Sequence, residues 1–505
     1  MAVRRNILAN YFGQGVTAVL GLAFVPVYIH YLTMEAYALV GLFALVQAWL
    51  ALLDLGMTPT LSREMARYTA GVVPVQFIRN LLRSLEILCA IIAVIVAAGM
   101  ILSSSLIATH WLRVDKLPVS TVAHAMTIMA IVVALRFCEG IYRSALIGLQ
   151  QQVWYNGASV VLASLRSGGA VAVLAFVAPT PEAFFLWQGF VSMLTLVVFG
   201  LKLYLALPAA PKPARFTWST IVEVRRFAGS MIGFSILAVL MTQVDKLLLS
   251  RLMPLESFGY YMLASTVSGV IFMIVAPITQ AIYPAFVRQA IADDVVRLRA
   301  TYHTTAQLAC VVIAPAAALL AAFPMTILFA WSNNARLATV TAPALAILAI
   351  GNFINGIMQV PLQLQLAYGW TRLVLTVNIC GLVLLMPTLL WAVPRFGALA
   401  AAGVWTALNV SNLLIQLPLM HRRLLKGEQW RWYIHDVCRP ILGALLIVVP
   451  AVILRPDGLH DRLGSLFFLV LVGAGAMAGS VLMIPPMRQR AFTAFRYAAA
   501  KALRA

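Results

Sequence analysis

Apolar residues run along this chain in blocks of about twenty, divided by short stretches that hold most of the charge. A helix of that length crosses a hydrocarbon layer of ~30 Å. The blocks predict fourteen spans, at 8–31, 38–58, 83–107, 121–140, 154–178, 184–207, 229–252, 259–284, 304–330, 339–366, 373–393, 399–419, 440–454 and 465–484. The thirteenth is the shortest and ends at "LRPDG". A faint repeat lies over this pattern. Shifting "LTMEAYALV" (32–40) by 221 positions sets Glu35 on Glu256, Tyr37 on Phe258 and Arg67 on Arg288. The expected fold is an all-α polytopic membrane protein, with two six-helix lobes around a central cavity and two extra C-terminal helices. In chain order these are an N-terminal lobe (1–207), a cytoplasmic linker (208–228), a C-terminal lobe (229–419), a cytoplasmic loop (420–439), the extra helices (440–484) and a basic cytoplasmic tail (485–505).

Composition agrees with this reading. The 505 residues are 62% hydrophobic and 10% charged, with mean hydropathy +0.94; a soluble chain carries about 25% charged residues. The net charge of +20 suggests a nucleic-acid partner until its distribution is examined. Arg113, Lys116, Arg251, Arg336, Arg395, Arg455 and Arg462 fall on one side of the predicted spans, and Arg166 and Lys246 fall within them. The other 27 of the 36 basic residues fall on the opposite side, a bias that orients a membrane protein and places both termini in the cytoplasm. No nucleic-acid partner is expected. The opening "MAVRRNILANYFGQG" begins like a signal sequence, but its apolar stretch runs on to about Leu32, so it reads as a retained first span.

Little in the sequence supports an enzyme. The longest outer loop, near "THWLRVDKLPVS", is about a dozen residues long. The loops hold no carboxylate pair, nucleophile triad or glycine-rich phosphate loop. Cys89, Cys138, Cys310, Cys380 and Cys438 lie in spans or at cytoplasmic ends without metal-ligand spacing, so neither disulfides nor metal sites are expected, and no cofactor.

Polar residues inside the spans carry the candidate chemistry. In the tenth span Asn352, Asn355, Gln359 and Gln363 recur within an arc of about 80°. The twelfth span repeats this with Asn409, Asn412 and Gln416, and Trp405 lies near the same face. Asn6, Asn10, Gln14, Thr17 and Gly21 share one side of the first span. Such amides either join helix to helix or line a wet cavity that suits a ligand dense in hydroxyls, with Trp405 as a stacking surface. Arg166 lies in mid-span, where a charge costs about 2.5–3.5 kcal/mol. It either pairs with a carboxylate, snorkels to the interface if the span boundary is displaced, or binds phosphate bidentately. Asp245 and Lys246 lie toward the outer end of span seven, either as an interfacial pair or as an ion-coupling carboxylate beside a phosphate-binding ammonium. Arg136, Glu139 and Arg143, like Arg83 and Glu86, have the spacing of ion pairs at helix ends. Asp54 lies close enough to the inner surface to be wet, and Pro26, Pro277, Pro361 and Pro387 mark places where spans can bend.

The opening 68 residues carry Asn10, "FVPVYIHYL" with Pro26, "EAY" at 35–37, "LLDLG" at 52–56 and Arg63. Further on comes "QVDKLLLSRLMPLESFGYYMLAS", then "PITQAIYPAFVR" with Pro277 and Pro284. In these features the chain resembles the bacterial polysaccharide and O-antigen flippases of the multidrug/oligosaccharidyl-lipid/polysaccharide exporter superfamily. It departs from them at Thr33 and Ala38, where glycine is usual. The resemblance implies a V-shaped pair of lobes around a cationic cavity in the bacterial inner membrane. It implies that undecaprenyl-diphosphate-linked oligosaccharide is flipped to the outer leaflet, driven by a proton or sodium ion, for lipopolysaccharide or exopolysaccharide assembly. The implied partners are that lipid-linked oligosaccharide, the coupling ion, membrane lipids and a polysaccharide polymerase. The alternatives are a lipid II flippase, a cation-coupled multidrug exporter and a non-transporting scaffold. Lipid II flippases carry arginines within the first span, and none lies between Arg5 and Arg63 here.

Overall fold

The computed structural model describes residues 2–454, 461–485 and 487–489, without the side chains of 2–12, 223–235, 237 and 238. The side chains of the first-span amides Asn6 and Asn10 therefore fall outside the description, and Arg455 and nearly all of the predicted basic tail lie outside the described residues. Among those described the fold is helical with no strand, the one β-type pairing being an isolated bridge between Arg113 and Pro254.

Helices occupy all fourteen predicted spans. Twelve helices among the described residues are long and apolar enough to cross a membrane. One of them, Arg372–Leu424, has 53 residues, about 80 Å at 1.5 Å per residue. It is two spans joined at Gly397, whose φ of 62° and ψ of −143° suit only a residue without a Cβ. Trp218–Leu252 occupies the seventh predicted span. Side-chain caps fix several helix starts: Thr33 accepts from the Ala36 N–H, Thr180 from Ala183, Asp294 from Arg297, Asn334 from Leu337 and Asp461 from Gly464.

The thirteenth span is longer than predicted. Helix runs from Gln429 to Ile453, opening with a wide turn at Trp432–Cys438 before Arg439–Ile453. Arg431, His435, Asp436 and Arg439 interrupt the apolar pattern there, and hydropathy alone starts the helix after them.

The chain forms two compact units, Met1–Gly259 and Tyr260–Ala505. In the first, Leu61, Met65, Ile78, Leu85, Ile141, Leu162 and Phe199 form a core between the short helix Met57–Thr69 and spans three to six. Span seven packs on spans two and three of the same unit. In the second, Phe323, Ala444, Val448, Val472 and Ala476 seat spans thirteen and fourteen on span nine. Gly443 and Gly479 meet backbone to backbone where those two spans cross; a Cβ on either would lie inside the other's carbonyl.

Candidate substrate-binding cavity

The motif "LLDLG" ends span two in a tight turn, Ala51–Asp54, followed by two left-handed residues, Leu55 (φ 48°) and Gly56 (φ 77°). Leu55 holds a conformation that costs a residue with a Cβ about 1–3 kcal/mol. Asp54 offsets that strain by capping Met57–Thr69. Its carboxylate accepts the Thr58 N–H at 3.2 and 3.3 Å and the Thr58 O–H at 2.8 Å. The turn becomes one wall of a cavity of about 550 Å3. Span four supplies the facing wall, where Arg136, Glu139, Gly140 and Arg143 share one helical face; span five adds Arg166.

Arg166 donates to Thr195 Oγ1 (3.3 Å) and pairs with Glu139 (3.5 Å). Its Nε is buried with no hydrogen-bond partner among the described residues. Arg136 is held by neutral groups: Gln188 at 2.8 Å, Gln47 at 3.3 Å and Ser192 at 3.4 Å, with its guanidinium 4.8 Å from the Phe43 ring. Arg143 is exposed at the cavity rim. Three guanidinium groups thus share the space with two carboxylates, and one of those, Asp54, is engaged as a helix cap. The surplus charge is positive, and 550 Å3 is within the range of small-ligand sites.

The structure places the other predicted site residues elsewhere. Asp245 is buried and pairs with its neighbour Lys246 at 3.5 Å, and Lys246 also donates to the Thr242 carbonyl. Neither lines the arginine cavity. In the second unit the amide stripes of spans ten and twelve face one another and bond together. Asn352 donates to Ser268 (2.9 Å) and accepts from the Trp405 indole (2.9 Å). Asn355 donates to Asn409 (2.7 Å) and accepts from Gln359 (2.9 Å), while Asn409 donates to the Trp405 carbonyl (2.8 Å). Gln416 is buried, Gln363 is half-buried, and the Asn412 Oδ1 is buried without a partner among the described residues.

Some residues of the cavity do not stand out in the sequence. Arg136, Glu139 and Arg143 read as ion pairs along one helix, but Glu139 reaches across to Arg166 instead. Their shared face is visible in the spacing; the span opposite it is not. Gln47 and Gln188, polar residues inside spans two and six, carry no periodic signal of their own. Arg83 and Glu86 do pair within their helix, at 3.4 Å.

Residues 3–290 match the polysaccharide biosynthesis protein family, more than half of the chain. The chain belongs to that family. Residues 231–391 also match the MatE family. Among solved structures, the lipid II flippase MurJ in an inward closed conformation is similar at 11% identity and a TM-score of 0.68, covering 93% of this chain and 97% of its own. An inward-facing multidrug resistance MATE transporter is similar at 14% identity and a TM-score of 0.63, covering 81% and 94%. The MATE multidrug transporter DinF-BH, solved in complex with a ligand, gives 14% and 0.59, covering 84% and 95%. Direct comparison with curated protein sequences finds no match.

Proposed function

We propose that this family member flips undecaprenyl-diphosphate-linked oligosaccharide from the cytoplasmic to the outer leaflet of the bacterial inner membrane, by ion-coupled alternating access. The observation that carries the reading is the gathering of Arg136, Arg143 and Arg166 around one cavity formed by helices of membrane-spanning length. At an effective dielectric of about 20, two unit charges 4 Å apart interact by ~4 kcal/mol. An organic cation beside Arg136 is repelled by about that much, and a diphosphate is drawn in by as much. That sign separates a phosphate-bearing cargo from the cationic drugs of a multidrug exporter.

Arg166 and Arg136 take the diphosphate on this reading. The amide faces of spans ten and twelve, with Trp405, take the sugar. Lys246 offers a further cation, and Asp245 takes up the coupling proton or sodium ion. The lipid tail is apolar and stays in the bilayer throughout. The charge bias of the loops supports cytoplasmic termini, and the polymerase that joins flipped units is the partner that receives the product. Because lipid II also bears a diphosphate, the cargo's sugar decides between the two flippases.

Deleting the gene and analysing membrane lipids by mass spectrometry tests this. The proposal predicts accumulation of a polyprenyl-diphosphate oligosaccharide, reversed by wild type and not by Arg166→Ala. Accumulation of lipid II would reassign the cargo, and an unchanged lipid pool would contradict the flippase reading.

A further inference from the structure

A second set of buried ionisable groups lies in the unit Tyr260–Ala505, apart from the arginine cavity. His303 stands two turns into the helix Val295–Ala322, which leads into the ninth span, and is 3% exposed. Both of its ring nitrogens meet carboxylates: Nδ1 faces Asp436, and Nε2 faces Glu428 at 3.1 Å. Asp436 is wholly buried in the wide turn Trp432–Cys438 that opens the thirteenth span. Its second oxygen accepts from Gln307 at 2.8 Å. Glu428 also receives Arg299, one turn before His303 on the same helix, and Arg431 from its own segment, each at 3.5 Å. The remaining polar neighbours are Tyr302, which faces His421 of span twelve at 3.2 Å, the Cys310 thiol against the Val437 carbonyl, and Tyr433, bonded to the Leu413 carbonyl.

This arrangement constrains the charge on the imidazole. A neutral ring has one N–H and would turn a lone pair toward one of the two carboxylates, whereas an imidazolium donates to both. Glu428 has two arginines besides His303, but Asp436 has only Gln307 among the described residues. The wholly buried carboxylate is therefore the one that depends on the histidine's charge. The donors are not spaced for a metal, since no group of three His, Cys, Asp or Glu among the described residues can hold one.

We propose that His303, between Asp436 and Glu428, is a proton-binding site whose occupancy fastens the segment 424–438, and with it the start of the thirteenth span, onto the ninth. The proton arrives from water by way of Glu428, whose side chain is 14% exposed, and forms a second N–H bond on the ring. Its departure leaves Asp436 buried without a cation and loosens the fastening. Within this unit, pH acts on how the two extra helices are held.

Hydrogen exchange in the full-length protein in nanodiscs tests the site without any transport assay, so its outcome is independent of the cargo. After correction for intrinsic exchange rates, amides of 432–438 lose at least about tenfold protection in one step as pH is raised. His303→Gln keeps one donor but cannot take a proton, and its exchange shows no such step. Glu428→Gln, at a partly exposed position that folding tolerates better, removes one carboxylate that favours the imidazolium and moves the step to lower pH. A wild type whose protection ignores pH overturns the proposal. So does a step of full size in His303→Gln, or an unmoved step in Glu428→Gln.

Discussion

At the scale of single residues, Arg166 sits where a charge is costly, and its present partners only partly offset that cost. Glu139 holds it at 3.5 Å and Thr195 takes one N–H, while its Nε stays unsatisfied among the described residues. On the proposed function, an incoming phosphate competes with Glu139 for the guanidinium. Glu139→Gln removes the competitor, so affinity for a polyprenyl diphosphate should rise about three- to tenfold, a gain of ~0.7–1.4 kcal/mol. Native mass spectrometry of the purified protein reads this directly, and unchanged or weakened binding contradicts the competition. The sequence makes Arg166 conspicuous because a mid-span arginine has few explanations. It makes Arg136, Glu139 and Arg143 look self-sufficient, because spacing along one helix reveals a face and nothing of what stands opposite it.

At the scale of elements, the amide stripes of spans ten and twelve bond to each other through Asn355–Asn409 and Asn352–Trp405. Such bonds contribute about 0.6 kcal/mol each within a membrane. Asn355→Leu with Asn409→Leu should therefore cost little stability. If these amides also receive the sugar, transport falls far more than the unfolding temperature does; parallel small losses would leave them as joints between helices. The periodicity shows each stripe, but that two stripes satisfy one another is a fact of tertiary packing. Gly479 makes a stronger structural demand. Gly479→Leu drives a side chain into the Gly443 carbonyl, and overpacking of this kind costs about 1–3 kcal/mol. Thermal unfolding in detergent should drop accordingly, and an unchanged midpoint would mean the two helices do not meet there. The helix start at Gln429 escapes the hydropathy pattern for a related reason, since Asp436 is charged yet buried against His303 and Gln307. Gly397, by contrast, falls in the gap predicted between spans eleven and twelve.

At the scale of the whole molecule, hydrophobic blocks, loop charge and the arginines gathered at one cavity are the features on which the proposed transport of an anionic, membrane-tethered cargo rests. A membrane potential of 100 mV is worth about 2.3 kcal/mol per charge moved, so under the proposed ion coupling a single titrating group suffices to bias the cycle. The central claim is that the arginines of span four and span five hold the cargo's diphosphate. It is tested most directly by measuring binding of a polyprenyl-diphosphate oligosaccharide to purified wild type, Arg136→Ala, Arg166→Ala and the double variant. Each single change should weaken binding at least about tenfold, the scale of one charge-assisted contact of ~1.5–3 kcal/mol, and the double variant should bind no better than a control membrane protein. Equal affinity across all four proteins, at equal thermal stability, would contradict the account.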